Sequence, residues 1–200
     1  MATAEPPRRL RRRLAQLYAG LVLYGVSMAM LILSSLGNMP WDVLHEGIAE
    51  QAPLGIGAWV VIVSGVVLLL WIPLRVRPGL GTISNVLILG VVLHLILRFV
   101  EEPHHVVARI SLLAVGVVLN GVATGLYIGA RFGPGPRDGL MIGLAARGWS
   151  VRVARTAVEV GVVAIGAVLG GTLGIGTIAY ALAIGPLSQW FIPMFRVPTK

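Results

Sequence analysis

No cysteine occurs anywhere in the 200 residues. That excludes disulfides, thiolate nucleophiles and cysteine-ligated zinc or iron–sulfur centres, and it leaves the compartment open on redox grounds. Charge is almost as scarce: Asp, Glu, Lys and Arg together make up 12% of the chain, where a soluble globular domain carries about 25%. Acids are the rarer sign, 8 against 16 Lys and Arg, for a formal net charge of +8. Such a balance suits nucleic acid only when the basic side chains cluster on a polar domain. Here they stand at the ends of apolar runs, so no nucleic-acid partner is expected and the pattern reads as membrane orientation. Apolar residues are what the chain has in plenty, 56% of it with a mean hydropathy of +0.88. Its expected surroundings are a lipid bilayer.

A helix needs about 20 apolar residues to cross about 30 Å of hydrocarbon. Six stretches qualify: Leu14 to Ser35, Leu54 to Ile72, Leu80 to Val100, Val107 to Ala130, Val151 to Gly171 and Ile175 to Phe195. The basic run Arg8, Arg9, Arg11, Arg12 and Arg13 ahead of the first stretch has the order of a secretory signal. The apolar run that follows is too long for a signal h-region, and no small-x-small cleavage site follows it, so it is expected to remain as a span. Two further segments, Trp41 to Gln51 and Arg137 to Arg147, are too short to cross. They are expected as interfacial or re-entrant helices entered through Pro40 and Pro136, where a missing amide hydrogen costs little.

The two short segments belong to a duplication. Gly133-Pro134-Gly135-Pro136-Arg137-Asp138-Gly139-Leu140 repeats Gly37-Asn38-Met39-Pro40-Trp41-Asp42-Val43-Leu44 from ninety-six residues earlier, and each copy is followed by Gly-x-Gly-Thr, ending at Thr82 and Thr177. The expected fold is therefore an all-α membrane protein. It has a basic N-terminal tail (1–13) and two repeats (14–100 and 107–195), each of three spans and one short helix. Three spans per copy is an odd number, so the second copy enters the membrane inverted. With both termini inside, nearly all the arginines fall on the cytoplasmic side and only Arg98 and Arg109 lie outside. Inverted repeats with interrupted helices are a recurrent design of transporters and channels. The Asp42 and Asp138 loops are then expected on opposite faces. Thr82 should lie beside the Asp138 loop and Thr177 beside the Asp42 loop.

Several residues can carry chemistry. Asp42 and Asp138 each stand two residues after a proline, where an acid either caps the helix start or acts as a gate; Arg137 adjoins only Asp138, with Trp41 in the matching place. Glu159 lies near mid-span, where a carboxylate is expensive and marks a functional position by default. Arg155 and Arg152 precede it by about one and two turns and can reach its face. Asn120, and Tyr24 at the matching position, either line a solute path or bond between helices. Gly121, Gly125, Gly129 and Gly133 form a small-residue stripe expected to pair the two copies, and Gly166-x3-Gly170 could serve a homodimer. His45, His94, His104 and His105 do not assemble a convincing metal site. No phosphate-binding loop ending in Gly-Lys-Ser/Thr is present. No catalytic set and no cofactor are expected, so the chain is not expected to be an enzyme.

At Leu36 to Leu44, at Arg77-Pro78-Gly79-Leu80-Gly81-Thr82 and at Gly133 to Met141, the sequence resembles the bacterial YczE membrane proteins of the YczE/YyaS/YitT group, over roughly residues 15 to 190. The resemblance implies a multi-pass protein of the bacterial plasma membrane, a transporter or an accessory protein. The combined expectation is a carrier or channel for a small solute or ion, with a polar site near Glu159 and Asn120. Its rivals are a non-transporting membrane scaffold or regulator, and the substrate-binding component of a multi-subunit importer.

Overall fold

A computed structural model describes residues 7–198. Its elements are α1 (Pro7–Ser34), α2 (Pro40–Gln51), α3 (Ile56–Leu74), α4 (Leu80–Phe99), α5 (Val106–Gly129), α6 (Pro136–Ala145), α7 (Val151–Val168) and α8 (Ile175–Phe195), with no strand among the described residues. Of the basic tail expected over residues 1–13, residues 1–6 lie outside the described residues. From Pro7 the chain is already helical, so Arg9 to Arg13 form the first turns of α1. Arginine and leucine are good helix formers and a proline is well tolerated at the first helical position, which explains the early start.

Five helices, α1, α3, α4, α5 and α8, are long and apolar enough to cross a membrane. The sixth expected span, α7, falls short: its 18 residues include Arg152, Arg155 and Glu159. Apolar side chains cover the outside of the bundle, as at Leu69, Val107, Ile178 and Leu182, which suits lipid rather than water. The main core joins α1, α4, α5 and α8 around Leu21, Met28, Leu93 and Tyr127. A smaller one gathers Trp41, Val67, Trp71 and Leu140 from α2, α3 and α6.

Long side chains satisfy the free carbonyls that every helix leaves at its C-terminus. Arg13 donates to the Ala130 and Arg131 carbonyls at 2.9 and 3.0 Å, closing α5. Arg109 does the same for α1, donating to Ser34 and Ser35 at 2.7 Å each. Arg147 donates to Leu74 at the end of α3 and Gln51 to Leu169 at the end of α7, each at 3.0 Å. The Gly81 amide donates to Phe132 at 2.9 Å and the Gly176 amide to Leu36 at 2.8 Å. These contacts come in pairs in which the helices of the two halves exchange places. The packing does likewise, α1 lying along α4 as α5 lies along α8, and α2 lying against α7 as α6 lies against α3. One pair is unequal, because α3 packs along α4 while α7 has no comparable contact with α8.

The glycine stripe of α5 has a different partner from the one expected. A Cβ on Gly121, Gly125 or Gly129 would meet Leu187, Phe191 or Phe195, so the stripe receives the bulky side of α8 rather than α1. Gly166 is also in use within the chain. A Cβ there would come within 2.5 Å of the Leu44 amide nitrogen in α2, which leaves no open Gly166-x3-Gly170 face for a homodimer.

Candidate functional site

Each short helix begins in the interior and runs back toward the end of the bundle from which its chain entered. Pro40 and Pro136 open them, as the sequence suggests. The two starts meet. An Arg137 Nη lies 3.5 Å from Asp42 Oδ1, and the guanidinium sits 5.3 Å from the centre of the Trp41 ring. Asp42 and Asp138 are therefore not on opposite faces of the protein; the re-entrant path carries both inward to one central site. Nor does either side chain cap its helix. The N-caps are Met39 and Gly135, without side-chain capping bonds, and both acids stand in the first turn, where a carboxylate still complements the positive helix end.

Their hydrogen bonds go elsewhere. Tyr127 donates its hydroxyl to Asp138 Oδ2, and Tyr24 packs edge-on against Tyr127, with ring centroids 5.9 Å apart. Asp42 is fully buried beside His45, whose Nδ1 lies 3.1 Å from Asp42 Oδ1. Burial pushes the His45 imidazole below its usual value, helped by the Arg137 charge and opposed by the hydrogen bond and charge of Asp42. A neutral ring that donates Nδ1–H to Asp42 leaves Nε2 as a bare acceptor. That nitrogen, Asp42 Oδ2 and Asn38 Oδ1 are buried without a hydrogen-bond partner.

Asn120 bonds between helices, donating to Ser27 of α1 at 2.8 Å and accepting from Tyr180 of α8 at 2.9 Å. Arg155 and Glu159 pair at 2.9 Å. Arg152 does not join them; it lies on the outer face of α7 among Val153, Thr156, Ala157 and Val160. Thr82 and Thr177 act as local caps, accepting from the Gly79 and Gly174 amides at 3.1 and 3.4 Å. Thr82 also donates to the Pro134 carbonyl at 2.7 Å, and Thr177 lies beside Gly37. Each Gly-x-Gly-Thr turn thus sits against the re-entrant loop of the other half, as expected.

Two spaces adjoin at this site. A cavity of about 480 Å³ is lined by Ile128 and Arg131 of α5, Pro134 before α6, Asp138 and Met141 of α6, and Arg155 of α7. A smaller one of about 50 Å³ lies deeper and shares Asp138, Met141 and Arg155 with it; its other walls include Tyr24, Trp41, Arg137, Glu159 and Tyr180. Of the candidates named from sequence, Tyr24, Pro40, Arg137, Asp138, Arg155 and Glu159 converge on this inner space. Asn120 reaches it only through Tyr180. Tyr127, Tyr180, Ser27 and His45 were missed as site residues. One signal was available for Tyr127, which follows Asn120 by seven residues and so shares its helix face.

Comparison with known proteins agrees with this picture of a membrane protein. The chain is 37% identical over 180 residues to an uncharacterized protein of Haemophilus influenzae, covering 89% of this chain and 83% of the relative. It is 28% identical to the uncharacterized membrane protein YczE of Bacillus subtilis, covering 88% and 83%. It is 29% identical to the uncharacterized protein YyaS of the same organism, covering 88% and 90%. No solved structure matches it. A family model described as a family of unknown function, DUF6198, matches residues 11–193, and the chain belongs to that family.

Proposed function

We propose that the chain is a non-enzymatic transporter or channel for a small polar or charged solute, built as two inverted repeats of three spans each, with α7 as the sixth span. The supporting observation is the pair of adjoining cavities, one lined by Arg131 and the other by Arg137 and Glu159, which share Asp138, Met141 and Arg155. Partly buried charges held for stability alone contribute little, because their desolvation offsets much of their attraction. Charges that line a path are a recurrent feature of transport proteins. The exchanged contacts of Arg13 with Arg109, of Arg147 with Gln51, and of Gly81 with Gly176 support a two-fold axis in the membrane plane. In this reading the termini and the large cavity face the cytoplasm of a bacterial plasma membrane.

A thermal-shift screen of small charged and polar solutes on purified protein tests the proposal. A ligand present at about 100 times its dissociation constant stabilises the folded state by about 2.7 kcal/mol. The shift should vanish in Arg137→Gln or Glu159→Gln while both variants still fold, and flux of the same solute into proteoliposomes should fall with it. Protein that gives neither a shift nor a flux would be a scaffold or regulator instead.

A further inference from the structure

The wide cavity has a counterpart that is shut. Counting back ninety-six residues, Pro134, Asp138 and Met141 correspond to Asn38, Asp42 and His45; α3 and α7 start ninety-five residues apart, so Arg155 corresponds to Val60. All four of the latter are 0–1% exposed. Three of them carry the orphaned acceptors: Asn38 Oδ1, Asp42 Oδ2 and His45 Nε2. In the half that is open these positions line a cavity; in the closed half three of the same positions leave acceptors without a hydrogen-bond partner.

We propose that Asp42 and His45, with Asn38 beside them, form a proton-binding site, and that taking up a proton there favours opening of this second mouth. The inference rests on the transporter reading and names its coupling ion. Unsatisfied buried acceptors are costly, and one proton added to the set turns one of its three unpartnered acceptors into a donor that a second can accept from. On Asp42 the proton also removes the carboxylate charge that holds the Arg137 guanidinium, so the two helix starts lose their link. A hard metal cation would instead ask for six or more oxygen ligands, and a nitrogen with two side-chain oxygens does not supply them. The charged and titratable groups that face the set are Arg137 of α6, Tyr24 of α1 and Tyr180 of α8, with Asp138 of α6 and Arg155 and Glu159 of α7 around the adjoining inner cavity. Glu46 on α2 itself is engaged with Asn38 Nδ2 and the Thr172 amide, and α3 carries no titratable side chain.

The absence of native cysteine makes the test direct. A single cysteine in Val60→Cys reports on the closed mouth, and one in Ile142→Cys reports on the open cavity. Both are labelled with a small water-soluble methanethiosulfonate in proteoliposomes between roughly pH 8 and pH 5, the range over which histidine charges. Relative to Ile142→Cys, labelling of Val60→Cys should rise several-fold on acidification. Adding Asp42→Asn should make it fast and independent of pH, and His45→Gln should weaken the pH response where Asp42→Asn does not fold. Labelling of Val60→Cys that ignores pH overturns the proton site, as does labelling that follows sodium at constant pH. A pH response without flux of any solute would leave the proton site standing and remove the transporter reading; flux without a pH response would do the reverse.

Discussion

Asn120 and Tyr24 occupy matching positions in the two halves, yet they do different things. Asn120 ties α5 to Ser27 and Tyr180, whereas Tyr24 lines the inner cavity. Replacing Asn120 with Leu should cost about 0.6 to 2 kcal/mol, the measured range for hydrogen bonds between membrane helices, read as a lower unfolding midpoint in detergent with ligand binding retained. Tyr127→Phe should behave differently. It strips the Asp138 carboxylate of its donor, at about 1–3 kcal/mol, and because Asp138 lines both cavities, solute affinity should fall along with stability. Arg109 was an exception to the charge pattern in the sequence, and its geometry explains why: it holds two carbonyls at the end of α1. Arg109→Ala should lower stability by roughly 1.5–3 kcal/mol. Arg98→Ala, with only a loose approach to the Phe99 ring at 5.9 Å, should change it little.

Short helices and glycines decide how the elements fit. A Cβ on Gly139 would overlap the Trp71 ring, while one on Gly65 meets nothing within 4 Å. Gly139→Ala should therefore prevent α6 from seating on α3 and abolish expression of folded protein. Gly65→Ala should be neutral or stabilising by up to about 1 kcal/mol, since alanine is the better helix former. Size-exclusion profiles and thermal unfolding in detergent separate the two outcomes. Pattern alone located both short helices, because a proline ahead of an amphipathic run too short to span leaves few alternatives. Partner choice was not legible. A stripe such as Gly121, Gly125 and Gly129 announces close packing, but any bulky face can fill it, and Phe191 and Phe195 of α8 do so.

Over the whole molecule, the contacts sort the loops into two ends. Arg13 with Ala130, Thr82 with Pro134, Arg147 with Leu74 and the Val197 amide with Gly129 gather the start of α1 and the end of α8 at one. Arg109 with Ser34, Gln51 with Leu169 and Gly176 with Leu36 define the other, which also holds Glu46 and Glu50. Single cysteines at Arg75 and Glu101 should accordingly react with an impermeant maleimide from opposite sides of a sealed vesicle, Arg75 from the cytoplasmic side. Reaction of both from one side would rule out the six-span arrangement.

Composition, hydropathy and the duplicated Gly-Pro-Asp segments were enough to establish a multi-helix membrane protein and the positions of its helices. Those features are local: apolar length, a proline at a helix start and a glycine turn act within a few residues of themselves. The meeting of Arg137 with Asp42, the hydrogen bond from Tyr127 to Asp138, and the difference between the open and the closed cavity belong to the tertiary structure alone. They depend on how deep each re-entrant loop reaches and on which helix lies across it. No spacing along the chain records that depth, because the packing of six other helices sets it.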